Sequence, residues 1–241
     1  MHTVEPGIGF FGKVLSHGDF VTRRLPVAFT RPWDDWLQGM LRASQQALGP
    51  TWLTTYLNSP IWRFALAPGI CGEPAWAGVL MPSVDRVGRH FPLTVAAATV
   101  NSNGTVPLFD WMAEEGAWYD QIETLALSSL SENFSLDAFD ASLRSLTALP
   151  HGSAPDQMIA LEGLDQLRGT ASQLSRSIAN ALLKGHSLWW TDGSQQVAPC
   201  VLVRQGLPTA DVFPSMLDGC WASRGGQVNH TSNTVMLSRP P

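Results

Sequence analysis

Apolar residues recur along this chain in two rhythms, and the rhythm changes at glycines and prolines. From Ile61 to Ala67 the large apolar side chains fall on alternate positions, Trp62, Phe64 and Leu66, as a strand with one face on a core requires. Two further apolar runs, Trp76 to Met81 and Leu93 to Thr99, read as strands paired like a hairpin. The opening stretch, Gly7 to Pro26, is rich in glycine and aromatic residues without a helical period, which predicts a short strand followed by an ordered loop. From Arg31 the rhythm becomes helical: Trp33, Trp36, Leu37, Met40, Leu41 and Leu48 share a face. Pro32 suits the first turn of that helix, Asp34 and Asp35 sit where its dipole favours anions, and Gly49-Pro50 ends it. Trp52 to Leu57 predicts a second short helix. Pro107 opens another, striped by Leu108, Trp111, Met112, Tyr119, Ile122 and Ala126, and Leu136, Phe139, Leu143 and Leu146 mark one more. Both are expected to cover the sheet.

Pro150 to Pro155 offers little to bury and reads as a linker. Beyond it, Leu174, Ile178, Ala181 and Leu182 predict a helix ending at Gly185. Strands are expected at Ser187 to Trp190 and Cys200 to Val203, and one helical turn at Phe213 to Leu217. Strands grouped early, then helices, then more strands, point to an α/β protein with a mixed sheet rather than regular βαβ winding.

Composition narrows what such a protein can do. With 241 residues, 44% of them hydrophobic, the chain can bury a substantial core in one domain. Charged residues make up 15%, against about 25% in ordinary soluble proteins, while ten are tryptophan, a residue enriched in cores and at protein interfaces. The net charge is −5 and Lys13 and Lys184 are the only lysines, so no basic run is available to track phosphates. Nucleic acid is excluded as a partner on that ground, and membrane insertion by the lack of a run of about 18 apolar residues. The start, Met1 to Pro6, lacks the character of a secretory signal, so a cytoplasmic protein is expected. Cys71, Cys200 and Cys220 have neither disulfide-framework nor zinc spacing, and buried free thiols are expected.

One stretch matches two nucleotide-binding patterns. Gly7-Ile8-Gly9-Phe10-Phe11-Gly12-Lys13 reads both as G-x-G-x-x-G and as G-x-x-x-x-G-K. Val14 stands where a P-loop needs a magnesium-binding hydroxyl, and too few residues precede Gly7 for the strand of a Rossmann unit. A structural turn is the expectation, and no cofactor is implied. The six histidines show no local metal-ligand spacing, and neither a nucleophile elbow nor S-x-x-K occurs, so neither a metal nor a catalytic residue is assigned. A catalytic group would have to assemble from the loop residues His17, Asp19, Ser83 and Asp85, which defines the alternative reading of a small hydrolase or transferase.

The polar cluster that stands out is Pro82-Ser83-Val84-Asp85-Arg86-Val87-Gly88-Arg89-His90-Phe91-Pro92, between two strand candidates. Ser83 and Asp85 are suited to shape a turn through nearby amides, and Gly88 permits positive φ. Arg86 and Arg89 offer planar forks for a partner's carboxylates, phosphates or aromatic faces, although Arg86 can equally pair with Asp85 or Asp19 to fix the loop. Asp19 and Arg24 form a second candidate cluster.

At these stretches the sequence resembles the TagF family, also called ImpM, associated with bacterial type VI secretion. The resemblance rests on Gly9-Phe10-Phe11-Gly12-Lys13, Gly18-Asp19-Phe20 and Arg24-Leu25-Pro26, on Trp33-Asp34 with Trp36-Leu37-Gln38, on Ser59-Pro60-Ile61-Trp62-Arg63-Phe64, and on Trp76 to Thr94. Leu15 stands where members often have proline. The resemblance implies a single compact α/β domain with its sheet sandwiched between helical layers, a three-layer α/β/α arrangement. On the same resemblance, residues 1–150 are expected to form the TagF-like region and 151–241 to complete the same fold. It further implies a non-catalytic, post-translational repressor that binds the forkhead-associated (FHA) scaffold protein of the system and holds back assembly. The partner-facing or loop-organising residues are then Asp19, Arg24, Ser83, Asp85, Arg86 and Arg89, backed by tryptophan-rich apolar surface. A structural accessory subunit of the apparatus is the remaining alternative.

Overall fold

A computed structural model describes residues 7–99, 108–146 and 182–224. Its centre is a seven-stranded sheet: β1 (Ile8–Gly12), β2 (Val21–Arg23), β3 (Trp62–Leu66), β4 (Ala75–Met81), β5 (Leu93–Thr99), β6 (His186–Thr191) and β7 (Cys200–Gln205). The spatial order is β2-β1-β5-β4-β3-β6-β7. Every described pairing is antiparallel, where the order of elements had suggested a mixed sheet. The connections account for this: β1–β2, β3–β4, β4–β5 and β6–β7 join neighbours in the chain, and a short link reverses direction.

Among the described residues six helices flank the sheet: α1 (Val27–Leu48), α2 (Trp52–Leu57), α3 (Leu108–Glu114), α4 (Gly116–Ser128), α5 (Leu136–Ser145) and α6 (Phe213–Asp218). The two-residue period of the strands sorts their side chains between two cores. On β4, Ala75, Ala77, Val79 and Met81 face α3, α4 and α5, while Trp76 and Leu80 face α1, α2 and α6. Likewise, Trp62, Phe64 and Leu66 of β3 and Trp189 of β6 enter the second core, leaving Ala65, Leu188 and Trp190 to the first. The protein thus has the expected helix–sheet–helix layering in one compact body. Both central strands are buried throughout, apart from half-buried Ala98.

Small residues let the strands approach closely. A Cβ at Gly78 would lie 2.2 Å from the Val95 carbonyl oxygen and 2.8 Å from the Phe64 ring. The tryptophans resolve as core: Trp36 and Trp221 are half-buried and every other one is buried. Several of their indole N–H groups find acceptors, Trp33 donating to Thr94 Oγ1 at 2.8 Å, Trp62 to the Met216 carbonyl at 3.0 Å and Trp76 to the Cys71 carbonyl at 2.8 Å, whereas the buried Trp111 Nε1 has none among the described residues. For those three, burial leaves the polar atom satisfied. The expected tryptophan-rich docking surface is accordingly corrected, since no tryptophan is exposed.

Several boundaries differ from the sequence rhythm. The first long helix begins at Val27 rather than Arg31, with Pro26 as its N-cap and the Pro26 carbonyl accepting from the Phe29 and Thr30 amides. Phe29 drives the extra turn, because its ring packs 5.2 Å from Trp33 and 4.3 Å from Trp76. Pro32 is consequently inside the helix, and Asp34 and Asp35 lie beyond its first turn. The single helix expected from Pro107 is two, α3 and α4, meeting at Glu115 with the apolar stripe running across the break. Strand β2 occupies part of the stretch that the sequence rhythm predicts as loop. Pro107, the linker at 150–155 and the helix through Leu174, Ile178 and Ala181 lie outside the described residues.

Candidate functional site

The candidate residues converge where two loops meet at one end of β1, β4 and β5. The first runs from Lys13 to Phe20, after β1; the second runs from Pro82 to Pro92, between β4 and β5. They are knitted by backbone: the Arg86 amide donates to the His17 carbonyl at 2.9 Å. The second loop closes as a hairpin tip. Val84 bridges His90, the Asp85 amide donates to the Arg89 carbonyl at 3.0 Å, and Gly88 takes φ +84°, which glycine adopts without Cβ strain.

Asp85 organises this junction. Its carboxylate is buried and accepts from Lys13 Nζ at 2.8 Å, Arg89 Nε at 2.7 Å, the Arg89 amide at 2.9 Å and the Val87 amide at 3.0 Å. Burial alone would raise its pKa. The Lys13 ammonium, the Arg89 amide and guanidinium and the Val87 amide outweigh that effect and hold the carboxyl well below the usual carboxylate range. Ser83 is also buried and inward-facing, its hydroxyl donating to the Lys13 carbonyl at 2.7 Å. Tyr56 locks the same residue, donating through its hydroxyl to the Ser83 carbonyl at 2.9 Å while accepting from the Ser83 amide at 3.0 Å. Burial pushes the Tyr56 phenol above its ordinary value.

The nucleotide-like glycine motif is thereby explained as structure. Gly7 to Lys13 is the β1 segment, and Lys13 is a buried partner of Asp85, its ammonium 5.2 Å from the Phe20 ring centre. Gly12, at φ +142°, lies so close to β5 that a Cβ would meet the Pro92 carbonyl oxygen at 2.1 Å.

Arg24 is a brace rather than an exposed fork. Held at φ +56°, it donates from Nε to the Ile8 carbonyl at 2.8 Å and forms an ion pair with Asp140 of α5, tying the sheet edge to the helical layer. Arg89 is divided: its guanidinium is half exposed, yet it donates to Asp85 and to the Gly18 carbonyl. The acid expected to pair with Arg86 is thus held by Arg89 and Lys13. Arg86 stands exposed beside Gly18, and Asp19, also exposed, accepts the Phe20 amide at 2.8 Å.

In the alternative catalytic set, the Ser83 hydroxyl and Asp85 carboxylate are committed to Lys13 and its neighbours, while the His17 and Asp19 side chains face solvent. The His17 ring nitrogen Nδ1 lies 2.8 Å from Ser16 Oγ. Among the described residues no group of His, Cys, Asp or Glu has the arrangement of a metal site.

The outward face of the paired loops is apolar with positive charge. Val87 is 66% exposed, Phe20 43% and Leu15 36%, with Arg86 and the Arg89 guanidinium beside them. Phe20 is anchored from below, stacked on Phe11 at 5.6 Å and edge-on to Phe91 at 4.8 Å. Phe20 and Val87 carry no motif that marks them as site residues in the sequence. The available signal was their position, an aromatic after Gly18-Asp19 and a valine between Arg86 and Gly88, where turn chemistry leaves the side chain no core to enter.

Residues 9–146 match the family model described as the TagF N-terminal domain, type VI secretion system-associated. No curated protein matches the chain. Among solved structures it is similar to PA0076 from Pseudomonas aeruginosa PAO1, at 39% sequence identity and a TM-score of 0.79. That likeness covers 92% of this chain and 97% of the other. No helix among the described residues is long and apolar enough to cross a membrane.

Proposed function

This chain belongs to the TagF family of type VI secretion-associated proteins, and from that premise we propose that it is a non-catalytic, post-translational repressor of type VI secretion. It acts in the cytoplasm by occupying the FHA-domain scaffold protein of the system, so that the apparatus does not assemble. One observation supports this reading above others. In the paired loops, Ser83 and Asp85 of the alternative catalytic set are turned inward and bonded to Lys13 and its neighbours, apart from the solvent-facing His17 and Asp19, while Phe20, Val87 and Arg86 are turned outward. Such a surface suits stoichiometric binding. Arginine and large aromatic residues dominate binding energy at protein interfaces, and guanidinium forks fit a scaffold's carboxylates.

The loops are stiff for the same reason that they are inert. Cross-strand hydrogen bonds, a buried ion pair and the Phe11–Phe20–Phe91 cluster fix the exposed side chains before a partner arrives, which lowers the ordering cost of binding. Arg86 then sets recognition, Arg89 contributes while holding Asp85, and Asp19 lies at the rim. The test is co-purification of this chain with the purified FHA scaffold, paired with secretion in cells that overproduce it. Stoichiometric capture and silenced secretion are expected; substrate turnover by the pure chain with no scaffold retained would overturn the reading.

A further inference from the structure

The two edges of the sheet are built differently. Strand β2 is three residues long, shows Thr22 and Arg23 to solvent, and ends at Arg24 in a left-handed backbone conformation braced to α5. These are the features by which natural sheets protect an edge from further pairing: shortness, charge and a kink. The other edge, β7, is neither short nor kinked, and Arg204 is its one charge. It runs for six residues, Cys200-Val201-Leu202-Val203-Arg204-Gln205, has β6 as its one neighbour among the described strands, and is closed by Pro199 and Gly206 only at its ends.

Its side chains continue the sheet's apolar surface into solvent. Val201 lies opposite Trp190 and Val203 opposite Leu188, both core residues of β6, yet Val201 is 56% and Val203 50% exposed. On the other face Leu202 is half-buried against the second core. Apolar residues on both faces of a long, unkinked edge are the chemistry of a strand suited to further pairing.

We propose that β7 pairs antiparallel with β7 of a second copy of this chain, joining the two sheets edge to edge across a two-fold axis centred on Leu202. The sequence of β7 is complementary to itself in that register and in no shifted one of equal quality. Opposite residues of an antiparallel pair share a face, so Leu202 meets Leu202, Val201 meets Val203, and Arg204 meets Cys200. The strand's single charge thus faces a neutral side chain. Sliding the centre to Arg204 would set the guanidinium against its own copy, a like-charge opposition that destabilises a sheet. In the favoured register the valines of both copies form one cluster continuous with Trp190 and Leu188 of each. The assembly is isologous and therefore closes as a dimer instead of growing into a fibre. It also leaves the loops around Asp85, on the other side of the sheet order, free in both copies.

The experiment is mass by light scattering over a dilution series, for the wild-type chain and for Val201→Lys/Val203→Lys, with circular dichroism to confirm folding. A wild-type dimer, twice 26.2 kDa, that the lysine variant converts to monomer is expected, because both valines are exposed and their replacement leaves the core intact. A second variant keeps the test decisive: Leu202→Cys with Cys200→Ser and Cys220→Ser should form an intermolecular disulfide on oxidation, while Thr22→Cys in the same background should not. A wild-type chain that is monomeric at every concentration, a dimer unaffected by the lysines, or failure of the Leu202→Cys protein to cross-link would each overturn the pairing. So would a pure monomer that acquires a strand from another protein at this edge.

Discussion

Lys13 and Asp85, 72 positions apart in sequence, meet at 2.8 Å in a buried ion pair that joins the loop after β1 to the hairpin between β4 and β5. The pair couples the loop that carries Phe20 to the hairpin that carries Arg86. Lys13 lies against the Phe20 ring, while Asp85 bonds Arg89 and the Val87 amide and so sets the direction in which Arg86 leaves the hairpin.

Breaking that pair should loosen the presentation of the surface. Lys13→Met leaves Asp85 buried without its strongest partner, and Asp85→Asn leaves Lys13 likewise, so both are expected to lower the melting temperature. Both should also weaken scaffold binding, because the outward side chains lose their support. Thermal unfolding measured beside affinity checks this; either variant with wild-type stability would contradict the role given to the pair.

The same carboxylate predicts a pH dependence. Its folded-state pKa is depressed below the unfolded value of about 3.9, so the stabilisation is fully present above that value and is lost as pH falls toward the folded one. Acid titration followed by denaturant unfolding should therefore show the wild type losing stability below about pH 4 more steeply than Asp85→Asn. Parallel curves for the two proteins would remove Asp85 from the account of acid sensitivity.

Arg24 allows stability and recognition to be separated. Asp140→Ala removes its carboxylate partner from a largely buried site and should cost about 1.5–3 kcal/mol, as loss of a hydrogen bond to a charged group does. At a permissive temperature scaffold affinity should be unchanged, since neither residue lies on the exposed loop face. A large fall in affinity without a fall in stability would return Arg24 to the interface.

Core substitutions should report on folding alone. Phe64→Ala is expected to cost about 3–5 kcal/mol, the usual range for truncating a fully buried aromatic residue. Gly78→Ala should destabilise by about 1–3 kcal/mol although it adds only a methyl, because the new Cβ has the Val95 carbonyl in its way. Chemical denaturation checks both, and a neutral Gly78→Ala would show that β4 and β5 can separate more easily than their geometry suggests.

Much of the frame was legible in the sequence because burial imposes its own period. Alternation at Trp62, Phe64 and Leu66 located β3, and the apolar runs at Trp76 and Leu93 gave a hairpin that pairs residue by residue from Ala75–Thr99 to Met81–Leu93. Where the period fails, so does the reading: the three residues of β2 are too few to show alternation, and Pro32 resembles a helix start although Phe29 extends the helix before it. The candidate loops were recognisable from Asp85, Arg86, Gly88 and Arg89. Their bonding was not, because nothing local reveals that Lys13 is the partner of Asp85 or that the Gly88 turn brings Arg89, rather than Arg86, onto the carboxylate.

The central claim is that the exposed face of the paired loops recognises the scaffold. It is tested most directly by isothermal titration of the purified FHA scaffold protein with the wild-type chain and with Arg86→Glu/Val87→Asp, both of whose side chains are exposed. Loss of an interface hot spot worth about 2 kcal/mol or more predicts a Kd weaker by about 30-fold or more, with an unchanged melting temperature. Equal affinity of the two proteins for the scaffold would contradict the account.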